Sequence, residues 1–451
     1  MTYERIQQST VDAMKAINTA LAAAKYPDPS TPEGLEVLRN ATFQAPAPTE
    51  LTPVDRTLPN GQVVRIIRPD GPVNGVVFHV HGGGFVLGKP SDDDAINDRL
   101  ARTAQVAVVS TTYRLAPEHP FPANLDDCLT AARWLADNVE AEFGTDRIVI
   151  SGYSAGGYLA AQTLLRLRDL HPEAFRRFVG ASLVFGVYDL SRTPSVRRST
   201  PDTIVLPSHW TRQFTALAFP GLDDERLRSP EFSPLHADLT GLPPALFTVG
   251  DLDPLLDDSL FLSARWTAAG NESDLSVWPH SPHGFVGMTP PTGLLAQARI
   301  NAWIADLLAA RTPTTVVRAF IDEVVNGGDL DRIDDLWAPD LVWHGGSLGE
   351  VHGIEDYRTM LTAAKTGSFT GMELTVHELI AAGDQVVVRF TNSGTQDGPF
   401  LGLPATGKHA EWLGVGIYTV RNGRITEAWF AEDVLGMLLQ LGALSLGTLT
   451  P

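Results

Sequence analysis

A serine between glycines follows a short apolar run in the segment RIVISGYSAGGYLAAQ. The run predicts a strand and the residues after it predict a helix, so Ser154 falls on the sharp turn between them. Gly152 and Gly156 let neighbouring backbone approach closely while the serine hydroxyl stays exposed. The N-terminus of the helix favours negative charge that develops beside the serine. Ser154 is therefore the predicted nucleophile, and an ordinary glycine-rich turn is the alternative.

Three consecutive glycines follow a second apolar run in FHVHGGGFVLG. Their backbone N–H groups can point into a cavity, where an acyl-transfer enzyme needs donors for a tetrahedral oxyanion. We predict that Gly83 and Gly84 form this oxyanion hole together with the N–H of Ala155. His79 and His81 resemble a metal-binding pair, but no further ligand cluster accompanies them, so no metal site is predicted. We expect His81 to hold the glycine loop by hydrogen bonding.

An acid and then a base must follow the serine if the chain uses this nucleophile in a triad. Two acids compete in VGDLDPLLDDS, Asp251 and Asp253, and two histidines compete in WPHSPHGFVG, His280 and His283. Each pair lies on a loop after a predicted strand, where catalytic groups of parallel sheets gather. The base must reach both the serine and the acid, which the spacing alone does not test. Both choices therefore stay open on the pattern.

The elements that would position these residues alternate between strand and helix. Short runs rich in β-branched residues predict strands, and longer periodic stretches between them predict helices at 125–139, 155–170 and 294–310. Strand and helix in alternation indicate a largely parallel sheet with helices on both faces. The predicted strands are 63–67, 76–80, 106–110, 147–151, 181–186 and 245–249.

Two segments do not follow the alternation, and we expect them to form a helical cap over the site. Residues 1–45 are a helical stretch with a proline-rich exit, and residues 190–235 are irregular and interrupted by prolines. Long insertions near strand ends are often lids.

The pattern changes near residue 312, where Arg311-Thr312-Pro313 is a plausible helix stop. Two helical patterns (316–328 and 329–338), a short strand, another helix and then four long alternating strands follow, which is an α+β order. A chain of 451 residues is also long for one core. We therefore predict two domains, 1–312 and 313–451.

The composition excludes several classes of partner. The net charge of −19 disfavours nucleic acid and anionic lipid, because both need Lys and Arg to neutralise them. No window approaches 18 uninterrupted apolar residues, and the first residues lack the basic and apolar regions of a secretion signal. The single cysteine, Cys128, cannot form an intrachain disulfide. We expect a cytoplasmic protein without nucleic-acid or membrane partners.

Five motifs occur in the order found in the bacterial hormone-sensitive-lipase family of carboxylesterases, which this chain resembles over roughly residues 30–310. They are HGGGF (81–85), YRLAPEHPFPANLDD (113–127), GYSAGG (152–157), DPLLDD (253–258) and HGF (283–285). The resemblance implies an α/β-hydrolase fold with a cap, no metal or organic cofactor, and short- to medium-chain esters as substrates. It also implies that Asp253 and His283 complete a triad with Ser154. The family commonly has Asp or Thr where this chain has Tyr153, so the resemblance does not assign a subgroup.

The segment 398–442 is similar to the SnoaL-like polyketide cyclase branch of the NTF2-like superfamily, on the motifs GLPATGK and RNGRITEAW and the D-x-x-G-M-L that follows. The resemblance covers about 313–443 and implies an α+β cone with an internal pocket. It implies that Asp433 is an acid/base group, with His344 and His409 facing the same pocket. Asp433 could instead be the N-cap of the helix that follows.

Three roles are open for this C-terminal domain, because NTF2-like folds serve all of them. It could hold a homodimer together through its sheet, shape or cover the esterase site, or act as a second, cyclase-like or isomerase enzyme. We favour dimerisation or substrate shaping, and keep a bifunctional protein as the alternative.

Overall fold

The computed structural model describes most of the chain, and it divides into two compact units, Met1–Ala309 and Ala310–Pro451. Parts of the predicted cap (1, 24–26 and 41–45) and residue 311 of the predicted boundary lie outside the described residues, as do the side chains of 2, 3 and 363–366. The residues described are 2–23, 27–40, 48–288, 290–309, 312–346, 349–400, 402–421 and 423–444.

The first unit is built on a nine-stranded sheet in the order β1-β9-β8-β7-β6-β4-β5-β3-β2. All neighbouring strands are parallel except β2, β3 and β5, which pair antiparallel at one edge. The mostly parallel sheet predicted from the sequence is thereby confirmed. The strands are β1 (Thr2–Tyr3), β2 (Val54–Thr57), β3 (Val63–Ile67), β4 (Val76–Val80), β5 (Ala107–Thr111), β6 (Ile148–Tyr153), β7 (Phe178–Val184), β8 (Ala245–Gly250) and β9 (Ser273–Trp278).

The central strands are buried along their whole length, because helices cover both faces of the sheet. The sole cysteine, Cys128, is buried in the longest of these helices. The helices are α1 (Gln8–Ala22), α2 (Pro32–Asn40), α3 (Asp94–Ala104), α4 (Ala123–Phe143), α5 (Ala155–Leu170), α6 (Pro172–Phe175), α7 (Pro194–Arg198), α8 (Ser208–Ala218), α9 (Asp224–Leu227), α10 (Leu256–Ala268) and α11 (Pro291–Leu308), with 3-10 turns at Pro90–Asp93 and Pro234–His236.

The second unit has a six-stranded sheet in the order β11-β10-β15-β14-β13-β12, antiparallel except between β10 and β15. Helices precede the long strands, as the α+β order predicted. The pattern 329–338, predicted to be helical throughout, ends in a strand, because β10 begins at Trp337, which pairs with Ile425 of β15. The elements are α12 (Pro313–Ala319), a π-helix (Phe320–Asn326), a 3-10 turn (Leu330–Arg332), α13 (Ile333–Leu336), β10 (Trp337–His344), β11 (Glu350–His352), α14 (Ile354–Gly367), β12 (Thr370–Ala382), β13 (Gln385–Thr395), β14 (His409–Arg421), β15 (Arg424–Glu432) and α15 (Val434–Leu441).

The core of the second unit is aromatic. Trp337 packs against Phe320 and Tyr357, with ring centroids 5.2 and 4.4 Å apart, and Tyr418 closes the cluster from β14. These rings are fully buried on the inner face of the sheet. The helices of the described residues include none that is both long and apolar enough to cross a membrane.

Candidate active site

Ser154 occupies the turn between β6 and α5, with a φ of 54° that non-glycine residues rarely adopt. Such a backbone costs about 1–3 kcal/mol and persists only where the surroundings enforce it. A Cβ on Gly152 would lie 2.1 Å from the carbonyl oxygen of Gly156, and a Cβ on Gly156 would lie 2.1 Å from that of Val80. Glycine is therefore required on both sides of the serine by backbone contact.

A line of hydrogen-bonding groups leads away from the serine. Ser154 Oγ lies 2.9 Å from Nε2 of His283, and Nδ1 of His283 lies 2.9 Å from Oδ2 of Asp253. Asp253 is buried and also accepts a hydrogen bond from the backbone N–H of Leu255, 2.8 Å away. Since β8 and β9 run parallel beside β7 and β6, the loops after them bring the acid and the histidine to the same sheet edge as the serine. These are the distances that a nucleophile, a base and an orienting acid need.

The two competing residues have other positions. The backbone carbonyl of His280 accepts a hydrogen bond from the side chain of Asn18, 2.9 Å away. The backbone N–H of Asp251 donates to the carbonyl of Trp278 at 2.9 Å, where the chain leaves the sheet. The structure thus brings His283 and Asp253 together with Ser154.

The glycine loop after β4 is held in a left-handed conformation. Gly83 and Gly84 have φ values of 118° and 60°, and the next residue, Phe85, has 68°. The N–H of Leu87 closes the loop on the carbonyl of Gly83 at 2.8 Å. Among the described residues, no backbone carbonyl accepts a hydrogen bond from the N–H of Gly83 or Gly84. Both glycines line the same cavity as Ser154 and Ala155.

His79, on β4, and His81, at the start of the glycine loop, both have structural partners. His79 Nε2 lies 2.8 Å from Oδ2 of Asp93, both side chains being buried. His81 Nδ1 lies 2.8 Å from the carbonyl oxygen of Gly82, and its ring stacks on Tyr113 at 4.1 Å. Burial lowers the pKa of His81 to about 4, so this ring is neutral at physiological pH. Within the described part of the chain, no group of three or more His, Cys, Asp or Glu side chains is arranged to hold a metal ion.

A cavity of about 1110 Å³ opens over Ser154 and is lined mainly by apolar side chains. Both predicted cap segments contribute to its wall. The first supplies Ile17 and Leu21 from α1, and the second supplies Trp210 and Phe214 from α8. A Cβ on Gly84 would lie 2.5 Å from the ring of Phe214, so α8 packs directly over the glycine loop.

Two further residues, which the sequence motifs alone do not single out, support the site. Phe185, directly after β7, has a φ of 38° and packs edge-to-face on His283, with ring centroids 5.0 Å apart. Asp258 is fully buried and accepts hydrogen bonds from the N–H groups of Tyr188 and Asp189 and from the hydroxyl of Thr193, at 2.6 to 2.9 Å. Asp258 therefore holds the loop after β7, which forms one side of the cavity. Its signal was present in DPLLDD, but the motif alone does not give the partner.

The second unit does not gather its three predicted residues in an internal pocket. Strand alternation puts His409 on the outer face of β14, opposite the buried side chains, and His344 stacks on the exposed Trp429 at 3.6 Å. His344 lies between two carboxylates, Glu350 at 2.9 Å and Glu427 at 3.2 Å. The interior on the other face is occupied by the aromatic core.

Asp433 lies just after β15 rather than within it. Its side chain is exposed and caps α15, where Oδ1 accepts a hydrogen bond from the N–H of Gly436 at 2.8 Å. Of the two interpretations of Asp433, the structure therefore shows the geometry of the helix N-cap, with the side chain exposed rather than inside the domain.

Known proteins resemble both parts of the chain. The family described as "alpha/beta hydrolase fold" matches residues 77–287. Carboxylesterase NlhH of Mycobacterium tuberculosis is 36% identical over 290 residues, which cover 59% of this chain and 86% of that protein. The chain belongs to the carboxylesterase family of α/β-hydrolases that resembles hormone-sensitive lipase. Its relatives include proteins named carboxylesterase, arylesterase and esterase, and this chain is a carboxylic ester hydrolase.

Other members of the family agree with this assignment. An arylesterase of Saccharolobus solfataricus is 32% identical over 236 residues, covering 52% of this chain and 75% of that protein. The solved structure of a hyperthermophilic esterase from Pyrobaculum calidifontis is 31% identical, with a TM-score of 0.57 over 69% of this chain and 100% of that one. The family described as "SnoaL-like polyketide cyclase" matches residues 315–441, so the C-terminal part of this family member is SnoaL-like.

Proposed function

We propose that this chain hydrolyses small-molecule carboxylic esters with Ser154 as nucleophile, His283 as general base and Asp253 as the acid that orients the base. The observation that carries the proposal is the hydrogen-bonded line from Ser154 through His283 to Asp253, at the turn where β6 meets α5. Each component alone occurs in proteins without this activity. Together, at these distances and in one cavity, they supply what acyl transfer requires.

In the first half of the reaction, Nε2 of His283 removes the proton of Ser154 as Oγ attacks the ester carbonyl. Asp253 accepts a hydrogen bond from the Nδ1–H of His283, which fixes the tautomer and stabilises the imidazolium. The carbonyl oxygen becomes an oxyanion, and the N–H groups of Gly83, Gly84 and Ala155 stabilise it. His283 then protonates the leaving alcohol, which departs and leaves an acyl group on Ser154.

In the second half, water takes the place of the alcohol. His283 removes a proton from the water, which attacks the acyl carbonyl through a second oxyanion in the same hole. Collapse of this intermediate releases the carboxylic acid and returns the proton to Ser154. No step needs a metal or organic cofactor.

The cavity supports short- to medium-chain esters as substrates. Its wall is largely apolar, and the proposed cap segments, about 1–45 and 190–235, supply much of that wall from α1 and α8. An apolar wall binds acyl or alcohol chains through burial, at about 25 cal/mol per Å² of apolar surface.

The test is hydrolysis of 4-nitrophenyl esters from acetyl to dodecanoyl by the full chain. Ser154→Ala should lose essentially all activity while keeping the circular dichroism spectrum and unfolding temperature of the wild type. The matched control is Ser151→Ala, three residues earlier on β6 and away from the cavity wall. An organophosphate such as diethyl 4-nitrophenyl phosphate should modify the wild type on Ser154 alone. Full activity in Ser154→Ala would refute the proposal.

For the C-terminal domain, 313–451, we propose a homodimer through the outer face of its sheet. Large apolar side chains stand exposed on this face, including Leu413, Ile417 and Trp429 at 58%, 37% and 52%. They lie on adjacent strands, because Ile417 of β14 pairs with Trp429 of β15. Neighbouring exposed apolar side chains of this kind mark an interaction surface, and a second copy of the same face is a self-complementary occupant. If dimerisation changes the conformation of the cap, the C-terminal domain would also affect which substrates the cavity accepts.

Light scattering on the full chain tests the dimer. Ile417→Lys should give a monomer, because it puts a charge in the middle of the face. Leu170→Lys is the control, since Leu170 is also an exposed apolar residue, at 57%, but lies on α5 of the first unit. A wild-type chain that is monomeric at micromolar concentration, or a dimer unaffected by Ile417→Lys, would refute this interface. The bifunctional alternative requires a turnover that survives Ser154→Ala and is lost in Asp433→Asn.

We also propose a cytoplasmic site of action, because the chain relies on no disulfide and its one thiol, on Cys128, is buried.

A further inference from the structure

Among the described residues, one of the two arginines on the cavity wall has no carboxylate within ion-pairing distance. Five charged side chains of the described residues line the cavity over Ser154, apart from its histidines: Asp92, Asp93, Arg99, Asp189 and Arg192. A charge taken partly out of water needs a partner, so each of the five has to be accounted for.

Four of the five are held by other groups of the protein. Asp93 pairs with His79 at 2.8 Å, and Arg192 pairs with Asp224 at 2.8 Å. Asp92 accepts a hydrogen bond from the N–H of Lys89 at 3.0 Å as part of a helix cap. These three groups are committed to the structure of the wall rather than to the cavity.

The fourth, Asp189, accepts hydrogen bonds from the N–H and the hydroxyl of Ser191 at 2.9 and 2.6 Å, and lies 3.6 Å from His236. It too is engaged by its own loop.

Arg99 on α3 is different. Its Nη1 donates to the side-chain oxygen of Gln297, which is a neutral amide, and no carboxylate of the described residues lies within ion-pairing distance of its guanidinium. The neighbouring Arg102 of the same helix, in contrast, pairs with Asp98 at 3.0 Å and with Glu50 at 3.2 Å. The side chain of Arg99 is half-buried.

The partner of Arg99 is itself fixed in place. Gln297 is 1% exposed, and its Nε2 donates to the carbonyl of Val286 at 2.6 Å, on the loop that follows His283. This bond leaves the amide oxygen of Gln297 to orient the guanidinium. Arg99 is therefore a pre-oriented cation, with four of its five N–H donors not used by Gln297, in the wall of the cavity that holds the nucleophile.

We infer that Arg99 recognises a carboxylate on the ester substrate, so that the preferred substrates include esters that carry a second, ionised acid group. This inference rests on the proposed function of the Ser154 site and names the substrate class of that site. A planar guanidinium is suited to a carboxylate, because it can donate two parallel hydrogen bonds. The net charge of −19 repels anions in general, so a local cation is needed to hold one at the site.

The experiment compares pairs of esters of similar shape, in which one member carries an ionised carboxylate and the other is neutral. On the acyl side the pair is 4-nitrophenyl hydrogen glutarate and 4-nitrophenyl pentanoate. On the alcohol side it is 4-acetoxybenzoate and its methyl ester. For each pair, the ratio of kcat/KM for the anionic ester to that for the neutral ester is measured in the full chain.

Arg99→Gln should lower this ratio by roughly tenfold or more for at least one pair, mainly through the KM of the anionic ester. Arg99→Lys should give an intermediate ratio, because the positive charge remains but the planar guanidinium that donates two parallel hydrogen bonds is lost. Added salt should lower the wild-type ratio and leave that of Arg99→Gln unchanged. Arg102→Gln is the matched control, with the same change on the same helix outside the cavity wall, and should keep the wild-type ratio.

The inference is overturned if Arg99→Gln leaves both ratios at the wild-type value, or lowers the anionic and neutral esters equally. Ser154→Ala separates this failure from that of the proposed function. If Ser154→Ala still hydrolyses both members of a pair, the proposed nucleophile is wrong; if it hydrolyses neither and Arg99→Gln leaves the ratios unchanged, only the role of Arg99 is wrong.

Discussion

Replacing Asp258 by Asn should stabilise the first unit at alkaline pH. Asp258 is fully buried, and this burial raises the pKa of its carboxyl from 3.8 to about 7, outweighing the hydrogen bonds from Thr193, Asp189 and Tyr188 that lower it. Asn can keep those contacts: its oxygen accepts from the two backbone N–H groups, and its NH₂ donates to the hydroxyl of Thr193, which can rotate to accept. The substitution therefore removes a buried charge and leaves the loop anchored.

The sign of the effect follows from where each state holds its proton. The unfolded chain releases the Asp258 proton near pH 4, whereas the folded protein keeps it until about pH 7. Between these values the folded state binds more protons, so the contribution of Asp258 to the free energy of unfolding falls as pH rises. The loss is complete above about pH 7. A pKa difference of this size corresponds to at most about 4 kcal/mol, at 1.36 kcal/mol per pH unit.

The assay is urea unfolding at pH 5 and at pH 8, following the transition that coincides with the loss of ester hydrolysis. Asp258→Asn should gain stability relative to the wild type by about 1–3 kcal/mol more at pH 8 than at pH 5, because part of the effect is already present at pH 5. Asp257→Asn is the control, because its carboxylate accepts from the N–H of Ser195 and lies 3.5 Å from the exposed Arg198. If Asp258→Asn destabilises the protein equally at both pH values, the carboxylate is ionised in the folded state and the reasoning fails.

Three further outcomes test the site and its supports. Asp253→Asn should lower kcat by about 10⁴-fold without loss of fold, because the amide leaves His283 in the wrong tautomer; a loss below tenfold in steady-state assays would count against the triad. Phe185→Leu should lower kcat/KM by roughly three- to tenfold, because about 1 kcal/mol of ring contact with His283 is lost, while Phe185→Tyr should retain most activity. Arg39→Ala should lower the unfolding temperature more than Glu118→Gln, because Arg39 also donates to two backbone carbonyls at 2.8 and 2.9 Å, whereas the exposed ion pair contributes little; equal shifts in calorimetry would contradict this.

The sequence predicts those elements that depend on local pattern. Strands 63–67 and 76–80 have the predicted ends, because each is a short run rich in Val and Ile bounded by polar residues or glycine. Strand β2 was not predicted, since all four of its residues are exposed and it forms only by pairing at the sheet edge. Helix α10 begins inside DPLLDD, which was treated as a loop after the strand.

The residues of the site could be predicted from the sequence, except where the choice between two candidates depends on distances in the folded protein. The nucleophile has a local signature, but the choices between Asp251 and Asp253 and between His280 and His283 needed either a known family or the structure. Asp258 acts on a loop 65 to 70 residues away in sequence, which no local pattern reports. His409 lies in a strand of clear alternation, yet alternation does not say which face is inside.

The glycines around Ser154 also determine how the site responds to heat. Gly152 and Gly156 are in backbone contact with each other, and Gly156 is in contact with Val80 of the neighbouring strand. The turn, helix α5 and strand β4 are therefore packed backbone to backbone, without side chains between them. Local opening of the turn would have to separate the central strands of the sheet. The backbone amides around Ser154 should therefore exchange their hydrogens as slowly as the most protected amides of the core. Thermal inactivation should coincide with the unfolding of the whole first unit rather than precede it.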